Sequence, residues 1–310
     1  MDQIDLANLP AAGDTAQADC TAAAAAVPSK KVAIFTNSVS DISPALAAEY
    51  GIYIVPDIIL FDTEEYRNNI DIDPPTLYEK LAVCEKLPTT SHPNPSIYID
   101  CFRQAADASD IICINLTSKM SGSINSASDA KADLEAEGFG PRIHVYDSLQ
   151  VSFGLAAMVI SAAKMANKGL SAEAILARLD FLRVHMGVYF VMESLQYAKK
   201  GGRVGAIRVL AADLLGVKPV LMFRDGLVRD VGVVRGFEAG VARVLQHYEQ
   251  QAQFGGEVFL FHSDREAYAQ KVADRLRVID PDAKIRIEWV GAVIGIYTGP
   301  GCIGIAFTER

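Results

Sequence analysis

Lys31-Val32-Ala33-Ile34-Phe35-Thr36-Asn37-Ser38-Val39-Ser40-Asp41-Ile42-Ser43-Pro44 is the stretch that decides the fold. Lys31 to Thr36 reads as a buried strand. Its carboxyl end runs straight into polar side chains, Thr36-Asn37-Ser38. Ser43-Pro44 then opens a helix, with Ser at the cap and Pro in the first turn, where a missing backbone N–H is tolerated. Strand, polar turn and helix make one unit of an α/β fold.

The unit recurs outward from there. Ile52 to Phe61 is a second extended run, Asp73-Pro74-Pro75 opens a helix reaching about Glu85, and Asn94-Pro95 opens another element by the same signal. Asp110 to Leu116 reads as a strand, followed by a polar turn and a helix from about Gly122, and Arg142 to Tyr146 is the next strand. This alternation predicts a parallel sheet with helices on both faces. After Asp147 the pattern changes. Val151 to Asn167 and Ser171 to Met186 read as successive helices with Gly169 as the stop between them. Val217 to Phe223, Leu227 to Val234, Glu257 to Phe261 and Ile285 to Val290 read as strands, the first two joined by the hairpin signal Asp225-Gly226. The expected fold class is therefore a two-domain α/β protein. Residues 31–150 form a parallel-sheet N-terminal domain and residues 151–310 a C-terminal α/β domain with a mixed sheet. Residues 1–30, rich in Ala and carrying Asp2, Asp5, Asp14 and Asp19, read as a disordered leader.

Composition narrows the function. At 310 residues the chain is long enough for two cores. A net charge of -9 disfavours nucleic acid and anionic membrane surfaces, which need a local Lys/Arg surplus. The longest apolar stretch, around Phe153 to Ala163, is too short to span a bilayer. The leader lacks the basic and apolar regions of a secretory signal. Cys20, Cys84, Cys101, Cys113 and Cys302 are odd in number and show no CxxC spacing, so reduced thiols and a cytoplasmic location are expected.

Ligands of an open α/β sheet bind beyond the carboxyl ends of its strands. Those ends carry Thr36-Asn37-Ser38, Thr117-Ser118, Ser121-Gly122-Ser123 and Asp147-Ser148, and a separate loop brings Thr89-Thr90-Ser91-His92-Pro93. Hydroxyls and helix N-termini gathered on one rim can hold an anion. The same residue types also serve as ordinary caps and turns. Lys199-Lys200-Gly201-Gly202-Arg203 can place a guanidinium near an anion or merely join two helices. Tyr297-Thr298-Gly299-Pro300-Gly301 reads as a rigid turn between apolar runs. No Walker loop, GxGxxG, GxSxG or HExxH is present, and His92, His144, His185, His247 and His262 form no metal spacing. No cofactor and no metal are expected. His92 alone lies in the polar rim, and paired with Ser91 or Ser121 it would make a hydrolase or acyltransferase.

Thr36-Asn37-Ser38-Val39-Ser40-Asp41, Pro88-Thr89-Thr90-Ser91-His92-Pro93, Ser121-Gly122-Ser123, Asp147-Ser148, Lys200-Gly201-Gly202-Arg203 and Thr298-Gly299-Pro300-Gly301, in this order, resemble the motifs of the DegV family of bacterial fatty-acid-binding proteins. The resemblance runs from about Lys31 to the C-terminus. It implies a long acyl chain buried between the domains, with Thr90 or Ser91, and Ser121, hydrogen-bonded to its carboxylate. Ser38, Gly122, His92, Arg203, Tyr297 and Thr298 complete the ligand-binding set on the same basis. Arg235, in Val233-Val234-Arg235-Gly236, is matched by position to an Arg that helps hold the head group. Candidate tunnel walls are Ile160, Met186, Phe190, Met192, Leu221 and Phe223, most of which also read as ordinary core. In some members the protein is the non-catalytic subunit of a fatty acid kinase and presents the carboxylate to a separate ATP-using subunit. The partners implied are thus a long-chain fatty acid and a kinase catalytic subunit. A regulatory protein merely stabilised by lipid is the remaining alternative. The chain departs from the family pattern at Asn37, where Asp is usual, at His92 for Gln, at Ser123 for Thr, and at Tyr297 for His.

Overall fold

The computed structural model describes residues 31–202 and 216–310. The leader expected over residues 1–30 and Arg203 lie outside the described residues. The first strand, β1 (Val32–Asn37), is buried along its whole length, as an apolar run covered on both faces requires. Helix α1 (Pro44–Tyr50) starts where expected: the Ser43 hydroxyl accepts from the Leu46 N–H. The run read as one extended segment is two strands, β2 (Ile52–Val55) and β3 (Ile58–Phe61), which belong to different sheets. Pro56 and Asp57 break it, since Pro cannot donate to a ladder. β4 (Glu64–Arg67) folds back on β3. α2 (Pro74–Val83) is capped by Asp73. Thr89–Ser91, read as loop, forms a short strand, β5, that completes a three-stranded antiparallel sheet in the order β4-β3-β5. α3 (Pro95–Arg103) is capped by Asn94, and β6 (Asp110–Asn115), α4 (Ser123–Ala136) and β7 (Arg142–Asp147) follow. β2, β1, β6 and β7 pair in that order as a parallel four-stranded sheet.

Helix α5 (Ser152–Asn167) is apolar nearly all round, and such a helix must be buried on several sides. It lies against β1 on one side and against three later strands, of the mixed sheet, on the other. α6 (Ala172–His185) runs directly into β8 (Met186–Val191). Then come α7 (Gln196–Gly201), β9 (Val217–Arg224), β10 (Leu227–Arg235), α8 (Phe237–Gln251), β11 (Glu257–His262), α9 (Glu266–Ile279), β12 (Lys284–Trp289), α10 (Ala292–Thr298) and β13 (Ile303–Thr308). The hairpin between β9 and β10 turns at Asp225 and Gly226, both at positive φ as a tight two-residue turn demands. The second sheet has six strands in the order β10-β9-β8-β13-β11-β12, antiparallel except for the parallel pair β11 and β12. It is mixed, as the sequence predicts. Its two central strands, β8 and β13, escape the sequence reading. Tyr297 and Thr298, read as part of a turn, end helix α10.

One apolar core runs across both sheets. Ile34 and Ile112 from the parallel sheet, Phe153 and Val159 from α5, and Phe190 and Phe261 from the mixed sheet belong to the same cluster. The proposed division at residue 150 falls just before α5, the helix both sheets share. Among the described residues no helix is long and apolar enough to cross a membrane.

Candidate functional site

The polar side chains of the rim fall into two groups. One group is spent on internal bonds. Asn37 Nδ2 donates to Ser123 Oγ at 2.9 Å, and Asn37 Oδ1 accepts from the Leu116 N–H at 3.2 Å. Tyr98 donates to Asn115 Oδ1 at 2.8 Å and shares a 2.6 Å bond with Ser123 Oγ. Ser148 donates to the Asn115 carbonyl at 2.7 Å, and Thr117 to the Gly226 carbonyl at 3.2 Å. These bonds stitch β1, α3, β6 and α4 together beneath the rim. They also account for Asn at position 37: an amide donates and accepts at once, whereas a carboxylate only accepts.

The other group faces a cavity. A space of about 340 Å³ lies between the two sheets, and its polar lining includes Thr90, Ser91, His92, Ser121 and Tyr297. That volume falls in the range of small-ligand pockets. Thr90 Oγ1 and the Tyr297 hydroxyl are 2.7 Å apart, which ties β5 to α10. Ser121 Oγ accepts from the Ser123 N–H at 3.2 Å, at the start of α4, and keeps its own proton available. The His92 ring packs on Gly122. A Cβ added there would stand 3.2 Å from His92 Cε1, so a side chain at this position would push the ring back by a few tenths of an ångström. Most of the rest of the wall is apolar, including Val188, Phe190, Met192, Phe223 and Val293. Among the described residues lining the cavity there is no Lys or Arg.

The expected site residues divide accordingly. Thr90, Ser91, His92, Ser121, Gly122, Tyr297 and Thr298 come together on the cavity. Ser38 does not reach it: its hydroxyl donates to Asp57 Oδ2 at 2.9 Å, one layer behind. Arg235 does not line it either: it is exposed at the end of β10, paired with Val217 at the start of β9. Of the expected tunnel walls, Phe190, Met192 and Phe223 line the space, while Ile160, Met186 and Leu221 are ordinary core. The described bonds pair neither Ser91 nor Ser121 with the His92 ring: Ser91 Oγ donates to the His92 carbonyl at 3.4 Å, and Ser121 Oγ accepts from the Ser123 N–H.

Sequence reasoning missed two acids. Asp57 lines the cavity and is 3% exposed. Burial lifts its carboxyl to about 7, and the Ser38 hydroxyl offsets this only in part. Asp41 lies behind Ser152, whose hydroxyl donates to its Oδ2 at 2.5 Å, and burial again raises the carboxyl to about 7. The one signal for Asp57 was an isolated acid inside the apolar run from Ile52 to Phe61. Cys302 also lines the cavity, and burial pushes its thiol up, which disfavours a thiolate nucleophile.

The family model described as "Uncharacterised protein, DegV family" matches residues 31–310. This chain belongs to the DegV family. The DegV domain-containing protein of Halalkalibacterium halodurans is 32% identical over 281 residues, covering 89% of this chain and 98% of that protein. Among solved structures, DegV of Bacillus subtilis, described as a fatty acid binding protein, is 26% identical. It superposes with a TM-score of 0.82 over 91% of this chain and 100% of its own. A stearic acid-binding protein of Eubacterium ventriosum is 27% identical, with a TM-score of 0.81 over 89% of this chain and 97% of its own. The DegV architecture of a parallel-sheet domain beside a mixed-sheet domain is therefore the one found here.

Proposed function

We propose that this chain binds one long-chain fatty acid, with the acyl chain in the cavity between the sheets and the carboxylate held by Thr90, Ser91 and Ser121. The observation that carries the reading is the cavity itself: apolar along most of its wall, with hydroxyl donors gathered on one part of it. At about 0.8 kcal/mol per methylene, some fourteen methylenes contribute on the order of 11 kcal/mol before the costs of association. Hydroxyls and the N–H groups at the start of α4 offset the desolvation of the carboxylate. The binding described for the Bacillus subtilis and Eubacterium ventriosum relatives supports the same ligand class.

The protein acts in this reading as a carrier and not as a catalyst. Neutral donors hold a carboxylate without enclosing it in an Arg fork, so a partner enzyme can still react with it. Delivery to a fatty acid kinase subunit is the extension that the family resemblance implies. The free thiols Cys84, Cys101, Cys113 and Cys302 fit a reducing, cytoplasmic setting. Denaturing mass spectrometry of protein purified from a bacterial host tests the binding step, with acyl chains of long length expected. Absence of lipid, together with no uptake of added palmitate or oleate, overturns the reading. The kinase step is checked by supplying lipid-loaded protein, ATP and a kinase subunit and measuring acyl phosphate.

A further inference from the structure

A cavity suited to a carboxylate already contains a carboxyl group. Asp57 directly precedes β3, and the pairing of Ile58 with Ser91 sets it beside the strand that brings Thr90, Ser91 and His92 to the cavity. It is held from behind: Ser38 donates to its Oδ2, and its own N–H donates back to Ser38 Oγ, both at 2.9 Å. The Asn68 N–H donates to its carbonyl at 2.9 Å. No described Lys or Arg lines the cavity to neutralise it. The titratable groups around it are the buried Asp41, whose charge opposes its own, Tyr98 behind the rim, and His92, Tyr297 and Cys302 on the cavity wall.

Two ionised carboxylates in one enclosed site repel strongly, and such pairs resolve the conflict by sharing one proton. We infer that Asp57 reads the head group of the ligand: in the complex it carries a proton that it shares with the bound carboxylate, so a fatty acid enters together with one proton. This rests on the fatty-acid reading above. The proton comes from solvent when Asp57 of the free protein is ionised, and is already in place when it is not. A long-chain alcohol has no such requirement, because its hydroxyl can donate to ionised Asp57.

The free protein's Asp57 titrates at about 7, which sets the window. Above it, each pH unit lowers the population competent to bind a carboxylate, and the dissociation constant rises about tenfold per unit. The test is direct titration of the full chain with a fluorescent polyene fatty acid, below its aggregation limit, from pH 6 to pH 9. A long-chain alcohol is run in parallel. Wild type is expected to lose affinity above pH 7 for the acid and to stay level for the alcohol. Asp57→Asn is expected to abolish the slope and, at pH 8.5, to bind the acid more than tenfold tighter than wild type. Ser38→Ala, which removes the hydroxyl that favours the charged form, is expected to move the midpoint upward, and it tests the inference even if Asp57→Asn folds poorly. A flat wild-type profile overturns the inference. So does the same slope in Asp57→Asn, a parallel slope for the alcohol, or a slope lost in Asp41→Asn or His92→Asn but kept in Asp57→Asn. A wild-type chain that binds no fatty acid at any pH overturns the fatty-acid reading itself.

Discussion

Asp41→Asn should stabilise the lipid-free protein at pH 8 and not at pH 4. Asp41 is 5% exposed, and among the described residues no Lys or Arg contributes to its environment. Its Oδ2 accepts from Ser152, while Oδ1 faces the Gly291 N–H without a well-formed hydrogen bond. Burial raises its carboxyl from 3.8 to about 7. The unfolded chain gives up this proton near 3.8, whereas the folded chain keeps it until about 7. The folded state thus binds more protons between those values, and stability falls as pH rises through that window and levels off above it. A rise of that size is worth about 4 kcal/mol between protonation states. Asn removes the charge but exchanges a charge-assisted bond to Ser152 for a neutral one, a loss of about 1 kcal/mol. Its backbone suits the change, because Asp41 sits at φ 58, a region Asn tolerates well. The net gain at pH 8 is about 3 kcal/mol, or several degrees in Tm, and at pH 4 the variant is equal to wild type or slightly worse. Urea unfolding of delipidated protein at both pH values measures the difference. A stability difference that is the same at pH 4 and pH 8 refutes the reasoning, because it means Asp41 does not change its protonation between folded and unfolded states in that window.

Three further outcomes follow from the cavity. Gly122→Ala fits its backbone (φ -79, ψ 3), so its only cost is the 3.2 Å approach to the His92 ring. Calorimetry should show weaker fatty-acid binding, and adding His92→Ala should restore it. Tyr297→Phe removes the 2.7 Å bond to Thr90. A loss of about 1 kcal/mol, or roughly fivefold in affinity, is expected in a displacement assay. Val293→Trp places an indole in the apolar part of the wall. Mass spectrometry of the purified variant should show shorter acyl chains than wild type carries.

The parts of the fold that a reader of the sequence can see are those whose cause is local. Ser43, Asp73 and Asn94 announce helices because each side chain accepts from an N–H three residues on, at Leu46, Thr76 and Ile97. β1 announces itself because a strand covered on both faces is an unbroken apolar run. β8 carries the same kind of run, Met186 to Val191, but it follows His185 of α6 without a turn residue, so neither period nor punctuation separates it from the helix. The candidate site divides along the same line. That Ser121 sits in the turn beyond a parallel strand is legible, whereas Thr90 and Ser91, read as loop, are placed by the pairing of β5 with β3. Whether a hydroxyl there is free to meet a ligand depends on partners far along the chain: Ser123 is claimed by Asn37 and Tyr98, and Ser38 by Asp57. Arg235 shows the limit most plainly, since a motif match supplies a residue type and an order, whereas in the fold this residue is exposed at the end of β10 and does not line the cavity. The useful question for each polar residue of such a rim is therefore what already holds its proton. A hydroxyl committed below the rim, like that of Ser38, braces the site, whereas Ser121, and Thr90 and Ser91 with their bonds at the rim itself, face the cavity where a carboxylate can compete for their protons. Asp57 adds the converse case: a carboxyl with no described Lys or Arg beside it on the cavity must obtain its proton from solvent, and the affinity of the site then follows pH.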